Sequence, residues 1–109
     1  MKKGEIWTID LPQTSGNEQM GARPSVIIAE TEANIAIIIP FTSNKQALRF
    51  RHSIIIEPTA QNGLKTESIA LIFQIRAIDK QRLINKIGEI ETKHLNSIDK
   101  MLLEMLKLS

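Results

Sequence analysis

The sequence predicts a mostly β (α+β) fold in which a small β-barrel is followed by one C-terminal α-helix. Short apolar runs recur at nearly even spacing and are separated by proline, glycine and asparagine, a pattern typical of several short strands. After residue 91 the apolar period changes from strand-like to helical. The chain has 109 residues, of which 42% are hydrophobic, so we expect one domain that spans residues 1–109.

Six apolar runs are predicted to form strands. In the first run, Trp7 and Ile9 alternate onto one face, and Pro12 ends it. The second run, residues 26–29, is apolar without interruption, so we expect a strand that is buried on both faces. Pro40 is expected to end the third strand. The predicted strands span residues 4–11, 26–29, 35–39, 53–57, 68–73 and 84–90.

Turn and cap residues separate these elements. Residues 13–22 have the composition of a loop, and Gln61-Asn62-Gly63 is a strong tight-turn signal. Asp79 is expected to cap one short helical turn that ends at Leu83. Thr92 is the predicted N-cap of the C-terminal helix. Apolar residues at steps of three and four define its buried face: Leu95, Ile98, Leu102, Met105 and Leu106.

The composition excludes several kinds of functional site. Without cysteine the chain forms no disulfide, thiolate metal site or cysteine nucleophile, and two histidines do not build a three-histidine metal site. The aromatic residues are scattered along the sequence, so we expect no base-stacking platform. Trp7 is expected to lie in the core or at a dimer contact. The four aromatic residues are Trp7, Phe41, Phe50 and Phe73.

The N-terminus and the charge balance bear on location and partners. Met1-Lys2-Lys3 is basic, but Gly4-Glu5 follows in place of an apolar run, so we expect no secretory signal and a cytoplasmic protein. No apolar stretch approaches the ~18 residues of a membrane span. The net charge of +2 is too small to indicate nucleic-acid binding unless the basic residues cluster.

Three polar segments, residues 16–24, 40–44 and 73–79, flank the predicted strands. Four motifs run through them and through the first strand, in order along the chain. They are Gly-Glu-Ile-Trp at 4–7, Glu-Gln-x-Gly-x-Arg-Pro at 18–24, Pro-x-Thr-Ser at 40–43 and Gln-Ile-Arg-Ala-Ile-Asp-Lys-Gln-Arg-Leu at 74–83. In this order and spacing the motifs resemble the MazF/PemK toxin family over nearly the whole chain.

The resemblance implies an SH3-like barrel that forms a homodimer. It also implies a metal-independent, sequence-selective endoribonuclease, an mRNA interferase that needs no cofactor. Such an enzyme cleaves single-stranded RNA and leaves 2′,3′-cyclic phosphate and 5′-hydroxyl ends. Members of this family are typically restrained by a cognate antitoxin, which is often acidic.

By the same resemblance, Arg23 and Thr42 correspond to the family's catalytic arginine and threonine. The planar fork of an arginine makes two charge-assisted hydrogen bonds to phosphate oxygens, and a threonine hydroxyl donates to the same group. Donors of this kind stabilise the charge that develops on the phosphate oxygens in the transition state. Considered apart from the motifs, Arg23 would form a surface ion pair with Glu18, and Thr42 would be a turn or strand-edge hydroxyl.

The groups that move protons are less well defined by the sequence. Glu18 either accepts the 2′-hydroxyl proton or orients Arg23, and an arginine is a poor general acid because it keeps its proton. Some family members have an Arg-x-Asp pair just ahead of the glutamine position. Leu71 and Phe73 occupy those places here, so that mechanism does not transfer.

Further residues are expected to bind RNA. Gln74 would read a base edge and Arg76 would hold phosphate, while the favoured alternative for Arg76 is a structural pair with Asp79 or a contact across the dimer. The basic residues from 45 to 52 would clamp the RNA backbone, or else form a solvated charged loop. His52 is left out of the catalytic set. The expected RNA-binding residues are Gln19, Ser43, Lys45, Arg49, Arg51, Gln74 and Arg76.

Two other functions are compatible with the sequence. One is a non-catalytic relative that poisons a protein target, as the gyrase-directed CcdB toxins do on a similar fold. The other is a small-barrel module that binds nucleic acid without chemistry. Neither function needs an arginine and a hydroxyl at the positions of Arg23 and Thr42, so the enzyme is favoured.

Overall fold

Seven strands and one α-helix make up the regular structure in a computed structural model that describes residues 1–12, 16 and 18–108. The mostly β fold with a C-terminal helix is therefore confirmed. Three short 3-10 helices connect strands, at Lys45–Arg49, Ile72–Gln74 and Lys80–Arg82. The main elements are β1 (Glu5–Leu11), β2 (Gly21–Glu30), β3 (Ile35–Thr42), β4 (Ser53–Ile56), β5 (Ser68–Leu71), β6 (Arg76–Asp79), β7 (Leu83–Glu89) and α1 (Thr92–Met105).

The strands form one antiparallel sheet in the order β4-β5-β3-β2-β1-β7. β3 is the central strand: β2 pairs with one edge, while β6 and β5 share the other edge, opposite residues 35–38 and 41–42 respectively. β4 and β7 are the two edge strands of this sheet. Among the described residues they do not pair with each other, so the expected barrel is not closed. The turn after β4 bridges this gap, because the Glu89 N–H donates to the Gln61 carbonyl oxygen at 2.9 Å.

Successive residues of the strands point to opposite faces of the sheet, and each face has its own apolar cluster. Helix α1 packs on the first cluster, which includes Val26, Phe41 and the fully buried Ile98. Trp7 and Leu83 pack against the cluster on the other face, called the second cluster below. The second cluster consists of Ile9, Leu11, Ile27, Ala36, Ile38 and Ile78. Within the described ranges, no helix is long and apolar enough to cross a membrane.

Several predicted boundaries are wrong. β3 continues through Pro40 to Thr42, since its last two residues pair with β5. β6 was not predicted as a strand; it has only four residues and was assigned to a polar segment. The predicted fifth strand ends at Leu71, where a 3-10 helix begins. Residues 13–15 and 17 of the predicted loop lie outside the described residues.

The predictions of strand burial and helix capping are confirmed in part. β2 is buried on both faces at its centre, with Val26 in the first cluster and Ile27 in the second, although Ala29 is exposed. Asp79 caps the turn that follows it by accepting a hydrogen bond from the Gln81 N–H at 2.8 Å. Thr92 is the first residue of α1 rather than its N-cap. Leu106 lies past the end of the helix and is exposed.

Candidate active site

The two residues expected to be catalytic lie at the ends of neighbouring strands. Pairing between β2 and β3 runs as far as Ser25 opposite Pro40. Arg23 lies two residues before Ser25 on β2, and Thr42 lies two residues after Pro40 on β3, so both residues lie at the same end of the paired strands, just beyond the last pair. Thr42 itself pairs with Ile69 of β5. The extension of β3 through Pro40 is what brings Thr42 to this position.

The hydrogen bonds of this pair leave donors for a ligand. Thr42 is buried, and its Oγ1 accepts from the Asn44 N–H at 3.2 Å. Accepting this bond does not use the hydroxyl hydrogen, which is a separate donor. Arg23 is half-buried, and its Nε donates to the Met20 carbonyl oxygen at 3.3 Å. A guanidinium has five N–H donors, and that bond engages only one of them.

The backbone of Gln19 is held on both sides by two side chains that were expected to bind RNA. The Gln19 N–H donates to Gln74 Oε1 at 2.9 Å, and Arg76 Nη1 donates to the Gln19 carbonyl oxygen at 2.8 Å. Arg76 therefore does form a structural contact, but with a backbone carbonyl rather than with Asp79. Gln74 lies in a 3-10 helix and not on a strand, yet both side chains reach the same peptide segment.

A cavity of about 140 Å³ lies beside Thr42. It brings together four of the expected site residues, Gln19, Thr42, Arg49 and Gln74, whereas Arg23 and Arg76 do not line it. Gln19 Oε1 is buried and has no hydrogen-bond partner among the residues that the structure describes. The full lining is Gln19, Thr42, Asn44, Gln46, Ala47, Arg49, Phe50, Leu71 and Gln74.

The aromatic residues are scattered along the sequence, but the fold brings two of them together. The ring centroids of Phe50 and Phe73 lie 5.3 Å apart, with a 50° angle between the ring planes. The guanidinium carbon of Arg49 lies 4.8 Å from the centroid of the Phe50 ring. Distance along the sequence concealed this pair, because the two phenylalanines come from different 3-10 segments that only the folded sheet brings together.

The basic residues from 45 to 52 do not form one free positive patch. Lys45 pairs with Glu67 at 3.2 Å, and Arg51 pairs with Glu104 of α1 at 3.5 Å. His52 Nε2 lies 3.1 Å from the same Glu104 carboxylate. Much of the segment is a 3-10 helix rather than an irregular loop. Glu67, which lies just before β5, and Glu104 of α1 thus offset the charge of several of these residues.

Glu67 also interacts with a second carboxylate at the end of β4. The hydrogen bond with Glu67 raises the pKa of Glu57 above its ordinary value. Hydrogen bonds from Glu57 and then from Lys45 lower the pKa of Glu67. Lys45 therefore pairs with the carboxylate whose pKa is lowered, while its own side chain stays 73% exposed.

The remaining expected residues lie on the surface around this site. Glu18 and Ser43 are exposed.

Trp7 packs on the second cluster, and its Nε1 donates to Glu5 Oε1 at 3.0 Å. Burial alone would raise the pKa of Glu5, but hydrogen bonds from Trp7 and Lys86 lower it below the ordinary value. In residues 1–12, 16 and 18–108, no three histidine, aspartate or glutamate side chains group closely enough to hold a metal ion.

Five of the nine lining residues were not among the expected site residues: Asn44, Gln46, Ala47, Phe50 and Leu71. Asn44 falls within a segment that was selected for its polarity, so a signal for it existed. Its Oδ1 accepts from the Gln46 N–H at 3.0 Å and caps the 3-10 helix that follows. No pattern in the sequence connects Phe50 with Phe73 or with Thr42.

Comparison with known proteins defines the class to which this fold and site belong. Residues 2–106 match the family model of the PemK-like, MazF-like toxin of type II toxin-antitoxin systems. The chain is 30% identical to Endoribonuclease MazF9 of Mycobacterium tuberculosis, over 94% of this chain and 92% of the relative. It is 31% identical to Endoribonuclease EndoA of Bacillus subtilis, over 94% of this chain and 90% of the relative.

Solved structures agree with this assignment at the level of the fold. MazF from Deinococcus radiodurans superimposes with a TM-score of 0.80 at 19% identity, covering 98% of this chain and 96% of the other. A mycobacterial endoribonuclease solved in complex with its cognate antitoxin gives a TM-score of 0.70 at 17% identity, covering 96% and 91%. The chain belongs to the PemK-like, MazF-like toxin family of type II toxin-antitoxin systems.

Proposed function

We propose that this protein is a metal-independent, sequence-selective endoribonuclease that cleaves single-stranded RNA and is neutralised by a cognate antitoxin. In this proposal it acts in the cytoplasm as a homodimer and leaves 2′,3′-cyclic phosphate and 5′-hydroxyl ends. The observation that supports the proposal most directly is that Arg23 and Thr42 lie at the same end of the paired strands β2 and β3. The endoribonuclease names of two relatives and the antitoxin complex of one structural neighbour agree with it.

In the proposed reaction, the 2′-hydroxyl of the RNA attacks the neighbouring phosphorus and the 5′-oxygen leaves. The Arg23 guanidinium and the Thr42 hydroxyl donate to the phosphate oxygens, on which negative charge increases in the transition state. Because these donors are held in place before the reaction, each is worth ~3 kcal/mol of transition-state stabilisation.

Glu18 has two proposed roles that a pH profile separates. As the general base it accepts the 2′-hydroxyl proton, so the rate falls at low pH, where its carboxylate is protonated. Glu18→Gln then removes this fall in rate from the low-pH side of the profile. As a positioning residue it orients Arg23, in which case Glu18→Gln lowers the rate without changing the shape of the profile.

The test is cleavage of a long single-stranded RNA in EDTA, with mapping of the cut ends. We expect the wild type to cut at defined sequences, and Arg23→Ala and Thr42→Ala each to cut about 100-fold more slowly. Arg82→Ala is the matched control: Arg82 pairs with Asp10 at 3.7 Å and does not line the cavity, so its variant should cut at the wild-type rate.

Each contrary result overturns a different part of the proposal. A wild type that cuts none of a range of RNAs overturns the nuclease function and favours a toxin with a protein target or a binding module. Full activity in Arg23→Ala overturns the site assignment alone. Loss of wild-type activity in EDTA, restored by a divalent cation, overturns metal independence.

A further inference from the structure

The side chains of Arg49, Phe50 and Phe73 contact one another in series, and Arg49 and Phe50 line the 140 Å³ cavity. Phe50 is 47% exposed and lines the cavity directly. Of the two core clusters formed by the described residues, neither includes Phe50 or Phe73. These three side chains therefore present a large, partly exposed aromatic ring next to a polar cavity instead of contributing to the core.

The size and the lining of the cavity define what fits into it. Its volume is less than half of the ~300 Å³ at which pockets for complete small molecules begin, so it admits one flat group rather than a whole nucleotide. Amide side chains line its wall, and one of their oxygens, Gln19 Oε1, is buried without a partner in the described part of the chain. Asn44 uses its Oδ1 as a helix cap, which leaves its amide NH₂ as the donor for a ligand.

The charge distribution argues for a neutral ligand group inside the cavity. Arg49 is the one charged side chain among the residues that line it, and the rest are amide, hydroxyl or apolar. Lys45 and Arg51, which would draw a phosphate inward, are paired with Glu67 and Glu104. A flat heteroaromatic group with hydrogen-bonding edges fits this combination of ring, guanidinium and amides.

We propose that Arg49, Phe50 and Phe73 form a base-binding subsite for single-stranded RNA. One nucleobase stacks on the Phe50 ring in the place of the Arg49 guanidinium, which then covers the outer face of the base. Phe73 supports the Phe50 ring through their tilted contact. The edge of the base meets the amides of Gln19 and Asn44, as in proteins that read unpaired bases by stacking and edge contacts.

This subsite rests on the proposed function and specifies how the RNA is selected. Thr42 lines the same cavity, so the bound base belongs to a nucleotide next to the reacting phosphate. Stacking accepts every base, whereas the amide edges of Gln19 and Asn44 discriminate between them. The subsite thus contributes to affinity through Phe50 and to sequence selectivity through the amides.

The experiment measures stacking directly with a fluorescent base. A short RNA with the mapped cleavage sequence is made with a 2′-deoxy sugar at the cut position, and 2-aminopurine replaces each base flanking the cut in turn. With the wild type we expect binding and quenching of 2-aminopurine at one of these positions. Phe50→Leu should lose the quenching and bind about tenfold more weakly, while Phe50→Trp should retain both.

Leu48→Ala is the matched control, because Leu48 is 39% exposed on the same 3-10 helix and does not line the cavity. It should bind and quench as the wild type does, with all variants melting within a few degrees of one another. If Phe50→Leu binds and quenches as the wild type does, and the wild type cleaves RNA, the subsite is overturned while the proposed function stands. An equal loss in Leu48→Ala also overturns it, and a wild type that cleaves no RNA overturns the proposed function instead.

Discussion

Gln19 shows at the scale of one residue how this site is organised. Its backbone N–H and carbonyl oxygen are each bonded to a side chain more than fifty positions later in the chain. Backbone polar groups that leave water need such partners. Gln74 and Arg76 therefore fix the path of the chain just before β2, and through it the position of the motif that contains Arg23. We therefore propose that Arg76 positions Gln19, and the alternative is a phosphate contact through its other N–H groups.

Comparing Arg76→Lys with Arg76→Ala tests this role. Lysine keeps the positive charge but lacks the planar fork, so it does not reproduce the Nη1 bond to Gln19. We expect both variants to lower kcat/KM for RNA by a similar factor, about 10- to 100-fold, because a hydrogen bond to a charged group is worth ~1.5–3 kcal/mol. The measurement is single-turnover cleavage of a short RNA at fixed ionic strength.

The salt dependence of RNA binding separates positioning from phosphate contact. Each phosphate neutralised on a single strand contributes about −0.7 to the slope of log K against log salt concentration. If Arg76 positions Gln19, Arg76→Ala leaves that slope unchanged. A slope that becomes shallower by about 0.7 in Arg76→Ala and not in Arg76→Lys would show that Arg76 binds phosphate.

Predictability from sequence differs between the two kinds of residue in this site. Arg23 and Thr42 were selected because they belong to short motifs that contain their own signal. Arg76 bonds to a backbone carbonyl, and because every residue has one, the sequence does not identify this partner. The Phe50–Phe73 pair depends on where two distant segments meet. Local chemistry is visible in a sequence, whereas contacts set by sheet topology are not.

At the scale of elements, β3 organises the molecule. It pairs with β2 along one edge and with β6 and β5 along the other, and its last residue is Thr42. The sequence predicted its core, residues 35–39, from uninterrupted apolar character. It did not predict the extension through Pro40, because proline normally ends a strand and the pairing of Phe41 with Ala70 outweighs that preference here.

The turn at residues 61–63 packs against β7 at the open side of the sheet. Gly63 has a φ of +69°, and a Cβ there would lie 1.9 Å from the Ile87 carbonyl oxygen. Gly63→Ala should therefore lower the free energy of unfolding by about 3 kcal/mol, roughly 15 °C in Tm, from backbone strain together with the clash. The measurement is a thermal melt followed by circular dichroism.

Gly21→Ala is the control for backbone strain alone. Gly21 also has a positive φ, +84°, but a Cβ there meets no atom within 4 Å. It should lower the free energy of unfolding by about 1 kcal/mol, roughly 5 °C in Tm. Equal shifts in the two variants would contradict a close packing of the turn against β7.

For the whole molecule, the placement of charge matters more than its total. The net charge of +2 is small, and ion pairs with Glu67 and Glu104 offset Lys45 and Arg51. Helix α1 covers the first cluster, and Arg23 and Thr42 lie at one end of the β2–β3 pair. RNA would thus be held by a few short-range contacts near Thr42 rather than by a broad positive surface.

The most direct measurement of the central claim is the chemistry of the cut ends. An RNA with one mapped cleavage site is made with either ribose or 2′-deoxyribose on the 5′ side of the cut, and the products formed in EDTA are analysed by mass. We predict 2′,3′-cyclic phosphate and 5′-hydroxyl ends from the ribose substrate and no cleavage of the deoxyribose substrate. Cleavage of the deoxyribose substrate, or products with 3′-hydroxyl and 5′-phosphate ends, would contradict attack by the 2′-hydroxyl.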